Sequence, residues 1–414
     1  MTLIPILLSF IPLRKQVCEE NIPGRKDNFV KRHDGEQAMN SFFSKLGHFT
    51  ANYKGTILLC ALSSGIVFMW GISKLRIESD IMASFPKNSR ISKDNAYIEK
   101  HLMGLLPIEI VAETTNGATI LQPGILNNII SLQKYLAGIP EITGSLSVAN
   151  YVQKTHRILM NDKPQFFSLP DTEKESSDYI KLAALYGNKQ VNSLYTQGYT
   201  DARISVRMKQ IGSNRYQAII QSIKKYIHEH LNTASLSWHI TGIVPLLINV
   251  QDNILWSEIQ SFSLAFFLTF ISTAIALKSA RIGLISVIPN ILPITLTLGL
   301  MGFTGIKLDT ATIMIASIAL GISVDNTIHI FYNFKKELLA NGDYSAAICN
   351  TLHEAGKTAL FTSLSAAFGF MVFSFSSFKP IQYFGMLTSI TIVNAILSDL
   401  LISPSCLMLF KPRF

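Results

Sequence analysis

Apolar residues along this chain gather into six runs, each long enough to cross a bilayer, since roughly 20 apolar residues in a helix match the hydrocarbon core. The first covers residues 56–75, and a long polar-rich stretch follows it to Trp256. Five more runs come in quick succession, at 260–277, 282–303, 309–333, 358–377 and 383–410. Short breaks separate them. Lys278, Arg281 and Gly283 mark one, Gly305 and Lys307 the next, and Lys379-Pro380 the last. The break at 334–357 carries Lys335, Lys336 and a segment, SAAICNTLHEAG, that reads as a short amphipathic helix.

The polar stretch has a different rhythm. Residues 108–115 (IEIVAETT), 202–209 (ARISVRMK) and 235–241 (SLSWHIT) read as strands, while 121–136 and 216–231 have helical spacing. This order predicts an α+β domain of ferredoxin-like type. Residues 161–200 are polar and weakly patterned, which fits a helical insertion or a mobile loop. From Ile243 to Gln260 the apolar positions recur by threes and fours, and neither proline nor glycine follows Pro245. One continuous helix is therefore predicted from Leu246 to Leu277, with Trp256 as an interfacial anchor. The expected fold class is a polytopic α-helical membrane protein with an α+β extracytoplasmic domain. Its parts are an N-terminal segment (1–54), a first span (55–75), an outer domain (76–256) and a five-helix bundle (257–414).

Composition agrees with that reading. Of 414 residues, 15% are charged and 48% hydrophobic, and mean hydropathy is +0.31. The net charge of +9 would suggest nucleic acid in a soluble protein. Here the basic residues flank apolar runs and act as topology signals, which excludes a nucleic-acid partner. Arg14, Lys15, Arg25, Lys26, Lys31, Arg32, Lys45 and Lys54 precede the first span. Lys278, Arg281, Lys335, Lys336, Lys357, Lys411 and Arg413 flank alternate later ends. Both sets belong on the cytoplasmic side, so 76–256 and the short gaps at 304–308 and 378–382 lie outside the cytoplasm. The four cysteines, Cys18, Cys60, Cys349 and Cys406, form neither a disulfide framework nor a metal pattern. No phosphate loop, zinc motif or nucleophile elbow is present, so neither an enzyme nor a cofactor is expected.

The start, MTLIPILLSFIPLRK, is too short to span, and it lacks the basic region of a signal peptide. Set against LISPSCLMLFKPR at the C-terminus, Pro5 falls on Pro404, Leu8 on Leu407 and Arg14 on Arg413. It reads as the tail of a final span from a preceding repeat, with chance similarity as the alternative.

Candidate chemistry lies in the apolar runs. Asp325 stands in the middle of LDTATIMIASIALGISVDNTIHIFYNFKK (Leu308–Lys336). A carboxylate at bilayer depth costs several kcal/mol and is tolerated where it faces a bundle interior, an ion path or a proton relay. Steps of four place Ser317, Gly321, Asp325 and His329 on one helix face, where small residues admit a neighbouring helix. Asp325 lies ten residues in from Lys335, Thr362 and Ser363 five and six in from Lys357, and Asp399 twelve in from Lys411. These comparable depths predict a relay of Asp325, His329, Thr362, Ser363 and Asp399, with Ser317, Gly321 and Asn326 packing around it. Structural hydrogen bonds between helices are the alternative for both acids, and an interfacial position for His329. Pro289, Asn290 and Pro293 suggest a kink that gates or packs.

Three segments resemble the resistance–nodulation–division (RND) superfamily, in its MMPL and hopanoid-exporter branch. GISVDNTIHIFYNFKKE (Gly321–Glu337) is similar to that branch's glycine–x–x–valine–aspartate signature. GKTALFTSLSAAFGFMVFSFSSFKPIQYFGMLTS (Gly356–Ser389) looks like its fifth span and the turn into the sixth, and ILSDLLISPSCLMLF (Ile396–Phe410) like its sixth. The closing spans also resemble the sterol-sensing domain. Family members usually carry two such halves, and this chain matches the second. Where they carry an aspartate–tyrosine or double-acid pair, this chain has Asn326 after Asp325, which puts a paired relay in doubt. The resemblance implies half of a proton-driven exporter of lipids or other hydrophobic molecules in a bacterial inner membrane. It would be completed by a second half or a second copy. A lipid-sensing or assembly subunit, or an inactive truncated transporter, is the alternative.

Overall fold

The structure, a computed structural model, describes residues 26–77, 84–101, 104, 106–115, 117–186, 189–231 and 235–412. The N-terminal apolar segment, Cys18 and Arg413 lie outside them. Among the described residues six helices are long and apolar enough to cross a membrane. The first span is Lys54–Ile72, the second Ile243–Leu277, the third Ala280–Thr304, the fourth Thr312–Asn341, the fifth Tyr344–Phe375 and the sixth Lys379–Phe410.

Between the first and second spans sits a four-stranded antiparallel sheet. Its strands are β1 (Leu106–Thr114), β2 (Ile142–Leu146), β3 (Asp201–Met208) and β4 (Leu236–Thr241), in the order β2-β3-β1-β4. Alternation decides its faces. Ile108, Ile110 and Ala112 of β1 and Ala202, Ile204, Val206 and Met208 of β3 are buried. They pack under helices Pro123–Ala137 and Ser213–Tyr226, which supply Leu126, Ile129, Leu132, Leu136 and Ile223. Tyr135 and Tyr226 stack at 4.0 Å and tie those helices together. The opposite face is polar: Arg203 Nε donates to Glu109 Oε2 at 2.8 Å, and Ser205 Oγ donates to Glu109 Oε1 at 3.0 Å. At the domain's rim Arg215 pairs with Glu141, and that guanidinium holds the Glu141 carboxyl below the usual carboxylate range.

Strand β2 and helix Val148–Leu159 were not expected from the sequence pattern; β2 is five residues long and shows little alternation. Residues 161–200 prove to be a helical insertion, with Glu173–Tyr186 packed on Val148–Leu159. The segment SAAICNTLHEAG is not a separate helix. It runs through a π turn, Leu352–Gly356, straight into the fifth span, because no residue there breaks the helix.

The predicted continuous helix is present and slightly longer, Ile243–Leu277, about 52 Å at 1.5 Å per residue. Gly242 makes its start possible. Its φ of 104° is open to glycine, and a Cβ there would stand 3.0 Å from the backbone nitrogen of Glu109. The helix is rooted in two cores: Val244 and Ile248 belong to the sheet core, and Leu255 packs in the bundle near Leu308 and Ile315. Trp256, next to Leu255, is exposed.

The gaps at 304–308 and 378–382 both meet the chain that follows the first span. Leu308 N donates to Arg76 O at 2.8 Å, and Lys379 N donates to Ser84 O at 2.9 Å. At the other end Phe43, on helix Lys26–Asn52, is buried with Phe331, Phe334, Ile348 and Leu352. The first and third spans touch backbone to backbone. Gly299 lies against the Phe68 carbonyl and Gly302 against that of Gly71, leaving no room for a Cβ. Gly302→Leu is expected to force these spans apart, at a cost of about 1–3 kcal/mol or more. The melting temperature of the purified protein should fall, and an unchanged value would show that the contact is dispensable.

Candidate functional site

The third span carries two prolines, and proline supplies no backbone N–H. Pro293 therefore leaves the Pro289 carbonyl without its helical donor, and in hydrocarbon that carbonyl needs another. Ser398 of the sixth span supplies it, donating from Oγ at 2.8 Å. The sixth span is itself irregular at this point, with a π turn at Ser398–Ile402 and Pro404 just beyond. Irregular turns of this kind re-aim side chains into a bundle, and the side chain next to Ser398 is Asp399.

Asp399 is fully buried. Thr327 Oγ1 of the fourth span donates to its Oδ1 at 2.6 Å. Thr327 Oγ1 also lies 3.0 Å from Asn290 Oδ1 on the third span, which accepts a second hydrogen bond from Ser323 Oγ at 2.8 Å. The Asn290 amide nitrogen donates to Ser286 O at 2.8 Å. Ser403, one turn along the sixth span, stands against the same carboxyl, and its Oγ and Asp399 Oδ2 are both buried. Beside this cluster Asn326 Nδ2 donates to Ser363 Oγ of the fifth span at 2.8 Å. Hydroxyl, amide and carboxyl groups from the third, fourth and sixth spans thus meet inside the bundle, and none of these side chains is cationic. A buried charge left without compensation costs several kcal/mol.

Asp325 is placed differently from the expectation. Gly321, Asp325 and His329 of that face point out of the bundle, while Ser317 packs against the second span. The side chains of Asp325 and His329 are 50% and 67% exposed, with Oδ1 and Nε2 3.7 Å apart. Among the described residues Gly321 has no neighbour within 4 Å of where its Cβ would be. Ser317 Oγ donates to Glu258 Oε2 at 3.0 Å. The reason is helical phase: Ser323, Asn326, Thr327 and Ile330 take the buried side of the fourth span, leaving the Asp325 stripe opposite. Thr362 is also turned away, and among the described residues it bonds to its own helix, at Thr358 O and Ala359 O. The structure therefore brings Asp399 together with Thr327 and Asn290, joins Asn326 to Ser363, and separates Asp325, His329 and Thr362 from both. Ser323, Thr327 and Asn290 were not singled out from the sequence as relay residues. Their signal was there, as polar residues one turn apart inside apolar runs.

The MMPL family profile matches residues 140–413, which take in most of the sheet and all five closing spans. A protein of Methanocaldococcus jannaschii described as a membrane protein is 22% identical over 353 residues, spanning 80% of this chain and 84% of that one. Protein patched homolog 1 of Caenorhabditis elegans is 29% identical over 116 residues, 28% of this chain and 8% of that much longer one. The family match covers well over half of the sequence and agrees with the resemblance drawn from its motifs: this multi-pass membrane protein belongs to the MMPL family.

Proposed function

We propose that the chain is one half of an RND-type exporter in a bacterial inner membrane, driven by proton entry and moving lipids or other hydrophobic molecules. The observation that carries this reading is Asp399, fully buried where spans meet and surrounded by hydroxyl and amide groups. A group that is neutral in one state and charged in another, inside the membrane, is what coupling to an ion gradient requires. The strand order β2-β3-β1-β4, with helices crossing between β1 and β2 and between β3 and β4, supports a ferredoxin-like outer domain. The helix Ile243–Leu277 would carry movement of the bundle into that domain, because a helix transmits tilt where a flexible linker does not.

The outward stripe of Gly321, Asp325 and His329 supports the second element of the proposal, a second half docked on the fourth span. A half-exposed carboxylate facing acyl chains is costly, and a protein partner removes that cost. The partner put to the test is a second copy of this chain. The other functional reading is a lipid-sensing or assembly subunit that moves nothing, and it rests on the likeness of the closing spans to the sterol-sensing domain.

Three outcomes follow from this reading. In proteoliposomes carrying a pH gradient and a fluorescent phospholipid analogue, Asp399→Asn should insert normally yet carry protons no faster than empty vesicles. Proton-coupled export by that variant would sink the proposal, and lipid binding without proton flux in the unaltered chain would favour the sensor. Gly321→Phe should leave the melting temperature unchanged and convert dimers in nanodiscs to monomers by mass. Unaltered protein that is already monomeric, or a variant that stays dimeric, overturns the docking face. Two glycines inserted after Asn253 should preserve proton flux and abolish lipid movement; normal export would make the helix a simple tether.

A further inference from the structure

At the end of the bundle away from the sheet, the third and sixth spans leave an open cavity of about 420 Å³ between them. Arg281, Leu284, Ile285 and Ile288 line it from the third span, and Phe410, Lys411 and Pro412 from the end of the sixth. Steps of three and four put the first four on one helix face, so that wall runs from a guanidinium to aliphatic side chains over about 10 Å. Leu284, Ile288 and Phe410 are exposed along it. The opposite face of the third span, with Ile282, Ser286 and Asn290, is the one buried in the bundle. The basic rim is held in place. Lys411 ends the sixth span in a left-handed conformation, with φ of 38°, and just beyond it the Tyr344 hydroxyl donates to Pro412 O at 3.2 Å. The Lys411 ammonium lies 5.8 Å from the centre of the Tyr344 ring. Among the described residues neither Arg281 nor Lys411 is paired with a carboxylate.

We infer that this cavity binds one anionic phospholipid from the leaflet opposite the sheet domain. Its phosphate would sit between Arg281 and Lys411, and an acyl chain would follow Leu284, Ile288 and Phe410. Charge complementarity carries the choice of occupant. Two cations without a carboxylate attract an anion, and a guanidinium meets phosphate oxygens with two parallel donors. A free phosphate would leave the apolar wall uncovered, and a lipid without net charge would leave the two cations unbalanced. One molecule that is anionic at its head and apolar below it satisfies both. Basic pockets between membrane helices are known to hold anionic head groups in this way. The volume fits a head group, its glycerol and the upper part of the chains, within the range of small-molecule sites. The fourth span contributes none of the lining residues, so a half docked there leaves the cavity open. Seated in it, the lipid joins the start of the third span to the end of the sixth, two elements that also meet at Pro289 and Ser398. The site goes beyond the exporter reading and does not depend on it.

The test uses the full chain, purified in a neutral detergent, stripped of lipid and titrated with dioleoylphosphatidylglycerol under native mass spectrometry. One retained lipid per chain is expected, with affinity about tenfold or more above that for dioleoylphosphatidylcholine. Arg281→Gln combined with Lys411→Gln should weaken it by about thirtyfold, equivalent to about 2 kcal/mol. Ile288→Trp, which fills the apolar wall and keeps both charges, should weaken it as well. Lys45→Gln combined with Lys336→Gln removes the same charge from exposed positions outside the cavity and should leave binding unchanged. Phosphatidylglycerol should raise the melting temperature of the unaltered chain and of this control, and not that of the cavity pair. A melting curve without lipid shows that each variant is folded. Equal affinity for the two lipids overturns the site, as does binding that survives the cavity pair. Equal loss in the control pair marks a general attraction to basic residues and overturns it too. Inorganic phosphate that protects the chain as well as the lipid does would make this a site for a free anion, which also overturns the proposal.

Discussion

In the hydrocarbon core of a bilayer no water competes for polar groups, so each must find its partner within the protein. The bundle is arranged around that requirement. Two prolines in the third span would leave carbonyls bare, and the sixth span answers with Ser398. Supplying that hydroxyl fixes the rotation of the sixth span, and with it the inward direction of Asp399. The Thr297 and Thr391 hydroxyls meet 2.7 Å apart farther along the same pair of helices, so the register is held at two points. The close approach of Gly299 and Gly302 to the first span belongs to the same logic, since small residues let backbones touch where no hydrophobic effect draws helices together.

The two acids of the bundle illustrate how environment separates chemically identical groups. Asp325 stands on a face with His329, open on the outside of the fourth span. Asp399 stands behind that helix, enclosed by Thr327, Asn290 and Ser403. One side of the helix is open, while the other is closed in among polar groups. Half a turn of the fourth span separates the two, so the exposed stripe and the buried cluster share a single rigid element.

The outer domain is joined to this arrangement through one long helix. Val244 and Ile248 are packed under the sheet, Leu255 lies in the bundle, and no loop intervenes. Gly242 sets the angle at which strand β4 hands over to that helix. The hydrogen bonds from Leu308 to Arg76 and from Lys379 to Ser84 close the same side of the bundle against the chain that leads into the domain.

Much of this was legible in the sequence. Runs of apolar residues determine the number of spans by length alone, and basic residues beside them determine which gaps share a side. The unbroken spacing from Leu246 onward determined the joining helix, and strict alternation in 202–208 determined strand β3. The motif around Asp325 carried the family. What periodicity could not decide was rotation. The fourth span carries polar residues on two opposite sides, so its pattern does not say whether the Asp325 stripe or the Ser323–Thr327 stripe turns inward. That depends on what the third and sixth spans offer across the contact, namely Asn290 and Asp399. Strand β2, short and weakly alternating, likewise exists because β3 presents an edge to it. Composition and period are local properties of one segment, and they determined the elements. Which polar face is buried depends on complementarity between segments far apart in the chain, and only the tertiary structure decided it.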